Sequence, residues 1–211
     1  MVENDKQTEK KIFEAATEVF MEKGMDGARM QDIANRAGIN KSLLHYYYRT
    51  KDRLFNEVFE MIFGHMLKKF APVFDADLTL EEKIRFFFRE HITFLQKNPR
   101  LASFVLHEIN RNPERVRNFI GRIDIGRLWT DIEAQHKDEL KKSNIRREDI
   151  PQLMTSIAAM SVFPFAARVL VKSILEKMGY DFDDYIEKRK EYAAEFVIGA
   201  IRKEKGIREK A

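Results

Sequence analysis

Asn40, Lys41, Ser42, Leu43, His45 and Tyr46 lie together in the stretch MQDIANRAGINKSLLHYYYRTK, residues 30–51. Asn and Lys can hydrogen-bond base edges, and Leu can touch a thymine methyl group. Ser, His and Tyr can donate to phosphate oxygens. Lys51 falls at the expected start of a helix, where the amide end also favours phosphate. Six basic residues (Arg29, Arg36, Lys41, Arg49, Lys51 and Arg53) face two acids within residues 27–54, a local net charge of +4. This local positive excess suits a polyanion.

Those side chains need short elements to aim them. The spacing predicts a helix over about residues 30–37, a tight turn at Gly38 and a second helix running to about Tyr47. Ile33 and Ala37 face inward, and small Ala34 lets the two helices cross closely. Gly38 tolerates the positive φ that a left-handed turn requires. Asn40 can cap the second helix, Ile39 plugs the turn, and Leu44 and Tyr47 return to the core. Two short helices on a glycine corner make a helix-turn-helix. Before it, a helix over about residues 5–23 carries the stripe Ile12, Ala15, Ala16, Val19 and Phe20, with Gly24 as its stop. After it, Thr50 can cap a helix reaching about Phe70.

The rest of the chain also has the helical period, so the expected fold class is all-α. Thr79 and Glu82 form a capping-box pattern ahead of the stripe Leu80, Ile84, Phe87, Phe88, His91 and Leu95. Further helices are expected over about 100–110, 113–141, 149–177 and 183–204, with a kink at Pro164. Residues 205–211 are polar and expected to fray.

Composition narrows the function. The chain has 211 residues and no cysteine, which excludes thiolate metal sites and a disulfide scaffold. The opening MVENDKQTEKK has no apolar stretch, and the uncharged run from Ile150 to Ala167 holds prolines and hydroxyls. A cytoplasmic protein with a buried helix there is expected. His107-Glu108 lacks a second histidine four residues on, and no nucleophile elbow, P-loop or dinucleotide fingerprint occurs. No enzymatic activity, metal or cofactor is expected.

With these residues in view, IANRAGINKSLLHYYYRTKDRLF resembles the N-terminal DNA-binding domain of the TetR/AcrR family of bacterial transcriptional regulators. Ile33-Ala34, Ala37-Gly38-Ile39, Leu44, Tyr47-Tyr48, Lys51 and Leu54 match the family pattern, which covers about residues 8–55. The chain departs from it at Ala28-Arg29-Met30, where the family usually carries a capping Ser or Thr, and at His45, where Tyr is common. The resemblance implies a helix-turn-helix DNA-binding domain over residues 1–55 and a helical ligand-binding and dimerisation domain over 56–211. It implies a one-component regulator, in the expected case a repressor, that binds a palindromic operator as a homodimer. A small apolar or amphipathic effector would release it. The DNA-binding set is then Arg29, Asn40, Lys41, Ser42, Leu43, His45, Tyr46, Tyr47 and Lys51.

The last helix, about 183–204, carries an apolar stripe wider than one inner face needs, and small residues on the helix before it, about 149–177, permit close approach. They are the expected homodimer surface, as a four-helix bundle. For the effector, Phe87, His91, Phe104, His107, Trp129 and Phe163 are the candidates in an aromatic-rich middle that also includes Phe119. The alternative reading is a helical ligand-binding or interaction protein that has lost operator binding.

Overall fold

The computed structural model describes residues 2–70, 77–121, 125–143 and 145–202. They form helices α1 (Val2–Gly27), α2 (Met30–Ala37), α3 (Lys41–Tyr47), α4 (Lys51–Phe70), α5 (Leu80–Lys97) and α6 (Leu101–Arg111). The chain continues through α7 (Pro113–Ile120), α8 (Ile125–Gln135), α9 (Lys137–Lys142) and a 3₁₀ turn at Arg147–Asp149. It ends with α10 (Ile150–Ala166), α11 (Arg168–Lys177) and α12 (Phe182–Arg202). No strand occurs among the described residues. Two compact units divide the chain at 68/69, 103/104 and 120/121: residues 1–68 with 104–120, and the remainder.

The first unit is organised by the α1 stripe. Ile12, Ala15, Ala16, Val19 and Phe20 are all buried, together with Ile33, Leu44, Tyr48, Leu54 and Phe55. Phe20 meets Phe55 edge-on at 4.9 Å, and Phe13 meets Tyr48 at 5.7 Å. These rings bind α1 to α3 and α4, each pair adding ~1 kcal/mol beyond its buried area. Gly24 does break the first helix, with φ 67° and ψ 176°, but helical turns resume to Gly27.

In the second unit, α5 and α12 pack along each other. Ile84, Phe88, Ile92 and Leu95 are buried on one, and Ile186, Ala193, Ala194, Val197 and Ile198 on the other. Arg85 pairs with Glu191 at 2.7 Å, and Arg202 with Glu81. The Thr79–Glu82 capping box is present as the sequence predicts. Lys83, buried on α5, donates to Gln135 Oε1 at 2.9 Å and so holds the end of α8.

Three departures from the sequence reading have local causes. The single helix expected over 113–141 is divided into α7, α8 and α9. His136 leaves helical geometry (φ −112°, ψ 23°) because its ring is buried and Nδ1 engages Glu139 Oε1 at 2.8 Å. The helix expected over 149–177 breaks at Ala167, three residues after Pro164, and its two halves are bent by 78°. Proline has no N–H for the carbonyl four residues back. That carbonyl, on Met160, instead accepts from Arg189 Nε of α12 at 2.8 Å. Finally, α10 is not buried all round: Met154 and Phe163 are exposed. No single helix among the described residues is long and apolar enough to cross a membrane. The tail, 205–211, and the side chain of Phe119 lie outside the described residues.

Candidate nucleic-acid interface

The turn between α2 and α3 is set by backbone geometry. Gly38 adopts φ 67° and ψ 31°. Its N–H donates to Asn35 O at 3.2 Å, and Ile39 N–H donates to Ala34 O at 3.0 Å. This pair closes the C-terminus of α2 as a Schellman motif. A Cβ on Gly38 would meet nothing within 4 Å, so the requirement for glycine is conformational and not spatial.

Asn40 starts α3 by accepting the Leu43 N–H on Oδ1 at 2.7 Å. The oxygen is therefore engaged in the cap, and the amide NH₂ is the group left to donate. At the other end of α3, His45 Nδ1–H donates to Arg49 O at 3.4 Å. Leu44 is fully buried and Tyr48 nearly so. These two anchors fix the rotation of the short helix. Lys41, Ser42, His45 and Tyr46 are left exposed, Tyr46 at 80 %. Leu43 is half-buried.

The tyrosine run divides three ways. Tyr48 is core, and its hydroxyl donates to Glu9 Oε1 at 3.2 Å; burial, then the nearby Glu57 and Glu9 charges, push its pKa well up. Tyr47 is half-buried and donates to Asp5 Oδ1 at 2.7 Å, a bond that raises its pKa and ties α3 to the start of α1. Tyr46 stands over Tyr47 edge-on at 5.5 Å, with its hydroxyl outward.

The six cations of this segment are not equivalent. Arg36 pairs with Glu18 and Glu22 of α1, both at 3.0 Å, which clamps α2 to α1 and raises its pKa, first through Glu22. Arg53 pairs with Glu57 at 3.1 Å. Lys51 donates to Ala28 O at 3.0 Å, with Asp26 O at 3.4 Å. Arg29 is the exposed N-cap of α2 and makes no side-chain capping bond, so the hydroxyl cap is missing here. Asp32 in that first turn is held below the usual carboxylate range, chiefly by its hydrogen bond from Lys23 at 2.7 Å. Lys41 and Arg49 are exposed, with no side-chain partner among the described residues. The sequence reading did not single out Arg49. Its signal is its position, immediately after the buried Tyr48 that ends α3.

The effector candidates do not gather around one described cavity. Phe104 and His107 belong to the first unit, where Phe104 is buried 5.7 Å from Phe55 and His107 is exposed. In the second unit, Phe87 and His91 are in ring contact at 5.1 Å, and Phe70 meets His91 at 5.3 Å. His91 Nδ1 lies 3.0 Å from Ser161 Oγ, which itself lies 3.0 Å from the carbonyls of Ile157 and Ala158. The serine proton goes to a carbonyl and Nδ1–H donates to Oγ, which leaves Nε2 unprotonated. Burial lowers the His91 pKa to about 4. Phe163 is 55 % exposed, and Trp129 lines a groove that includes none of the other five.

A glycine-cornered helix pair, anchored from behind and presenting Lys41, Ser42, His45 and Tyr46 outward, defines a DNA-binding helix-turn-helix. The sequence profile described as "Bacterial regulatory proteins, tetR family" matches residues 12–58. Over these residues the chain carries a TetR-family DNA-binding domain, the mark of a transcriptional regulator and not of an enzyme. It is 27 % identical to the HTH-type transcriptional repressor NicS of Pseudomonas putida over 66 % of this chain and 68 % of that protein. It is 24 % identical to the fatty acid metabolism regulator protein of Bacillus subtilis over 56 % of this chain. That match spans less than two thirds of the Bacillus protein, 60 %. Among solved structures, a TetR-like transcriptional regulator from Rhodococcus superposes with a TM-score of 0.61 at 20 % identity, covering 91 % of this chain and 96 % of that one. A TetR-family transcriptional regulator from Haemophilus influenzae gives 0.62 at 18 %, covering 90 % and 98 %. Both are likenesses of fold.

Proposed function

We propose that this protein is a one-component cytoplasmic transcriptional repressor that binds a palindromic operator as a homodimer. Residues 1–55 read the DNA and residues 56–211 pair the subunits and hold a small amphipathic effector. The carrying observation is the outward face of α3. Four polar side chains stand in solvent on a helix whose opposite face is sealed by Leu44 and Tyr48. These types, placed at the helix's exposed face after a glycine corner, are those that can donate to phosphates and base edges. Lys41, Tyr46 and Arg49 are the contacts assigned the most affinity; Tyr47 and Lys51 chiefly position the others.

The dimer reading is supported by α10 to α12. Val169 and Leu170 are exposed at 82 % and 57 %, and Tyr192 and Phe196 at 63 % and 59 %. On α12 these rings lie opposite the face buried on α5. A helix apolar on two sides has a second surface to cover, and a second copy covers it with the two-fold symmetry that a palindrome needs. Release requires the effector to favour the non-binding state, a coupling of about 1–3 kcal/mol.

Selection of bound sequences from random duplex DNA tests the proposal. Recovered sites should share a palindrome with half-sites about one helical turn apart. Recovery of no common sequence would refute operator recognition.

A further inference from the structure

In the second unit, α8, α9 and the 3₁₀ turn surround a groove of about 400 Å³. This is the size of a small-molecule site and far too small for a macromolecule. One part of its lining is apolar: Trp129, Leu140, Ile145 and Ile150. The other part is cationic. Lys137, Lys141 and Arg147 all line it, and none has a side-chain partner among the described residues. Arg146 also lines it, paired with Glu148 at 2.7 Å. The one carboxylate in the lining is Glu133.

In the same unit, Arg85 and Arg202 are each neutralised by a carboxylate. Here three unpaired cations share one concavity with apolar walls. Apolar walls beside such charges weaken solvent screening of an anion held between them. The indole N–H of Trp129 is buried without an acceptor among the described residues, a donor that a bound oxygen could satisfy.

We infer that this groove binds a small amphiphilic organic anion, with a phosphate or carboxylate head among Lys137, Lys141 and Arg147 and an apolar body against Trp129. The inference deepens the effector reading, and it rests on that reading for its regulatory consequence; binding itself does not. A bare inorganic anion would leave the apolar wall empty, and a neutral apolar ligand would leave the cations unpaired.

Trp129 is the chain's single tryptophan, so its emission is a built-in reporter. The probes are hexyl phosphate, hexanoate, hexan-1-ol and inorganic phosphate, titrated into the full-length protein. Hexyl phosphate or hexanoate should shift Trp129 emission saturably. Hexan-1-ol and inorganic phosphate should bind at least about tenfold more weakly, because each lacks one half of the recognition. The double variant Lys137→Gln/Arg147→Gln should bind hexyl phosphate at least about tenfold more weakly, with its melting midpoint and hexan-1-ol response unchanged. Equal responses to hexyl phosphate and hexan-1-ol, an unaffected double variant, or silence with every probe would each overturn the anion site. Operator occupancy is read separately. An anion that binds without changing occupancy upholds the site and removes its role as a trigger, while a responsive operator with a silent Trp129 removes the site and keeps the regulator.

Discussion

The ammonium group of Lys51 donates to the carbonyl oxygen of Ala28 at 3.0 Å, and so joins the start of α4 to the segment that enters α2. In the free protein this lysine is a brace, not an idle phosphate contact. Lys51→Met should lower unfolding stability by about 1–2 kcal/mol, the scale of a charged hydrogen bond lost from a half-buried carbonyl. Urea denaturation measures it. Unchanged stability would mean that the lysine is free to serve DNA alone.

Arg189 and Pro164 form a matched pair. The proline removes the donor that Met160 O would have had, and Arg189 Nε supplies another at 2.8 Å. Arg189→Met should therefore cost about 1–3 kcal/mol. In a Pro164→Ala background, where the helix can donate for itself, the loss should shrink. A double-mutant cycle gives the coupling energy, and strict additivity would show that the arginine does not compensate for the proline.

His91 gives the second unit a defined acid response. Its folded pKa lies at about 4 because burial disfavours the charge, against 6.5 when free. Between those values the unfolded chain binds a proton that the folded chain does not. Stability attributable to this group is complete above about pH 6.5 and falls as the pH drops to about 4, by ~3 kcal/mol in all. His91→Phe should flatten that window. An equally steep profile in the variant would assign the acid sensitivity to other groups.

The exposed rings of α12 bear on assembly. Phe196→Glu inserts a charge into the face assigned to the second subunit, on the side away from α5. Sedimentation equilibrium should show dimers for the parent chain and monomers for the variant, with unchanged helicity. A parent chain that sediments as a monomer would remove the dimer assignment.

The helix-turn-helix was legible because its determinants are local. Gly38, Asn40 and the buried Ile33, Ala34 and Leu44 act within one turn or two, and sequence spacing carries that information. Their partners across the fold were not legible. Arg36 reaches Glu18 and Glu22 on another helix, and Lys51 reaches a backbone carbonyl, which no side-chain pattern announces. Both were counted with the cations free for DNA. The break between α8 and α9 was hidden because helical periodicity continues across His136, and it comes from the burial of that ring. The cationic groove was hidden for the same reason: in sequence, Lys137, Lys141 and Arg147 read as ordinary solvated charges.

A single salt titration tests the outward face of α3 as the proposed reading surface. A selected duplex is bound by the parent chain and by Lys41→Ala, Arg49→Ala, Tyr46→Ala and Arg36→Ala across a series of salt concentrations. Lys41→Ala and Arg49→Ala should each weaken binding and reduce the salt slope by about one, with melting unchanged. Tyr46→Ala should weaken binding at unchanged melting, and Arg36→Ala should lower the melting midpoint while leaving the slope alone. Parent-like affinity and slope in Lys41→Ala, Arg49→Ala and Tyr46→Ala alike would contradict the assignment of α3 as the reading helix.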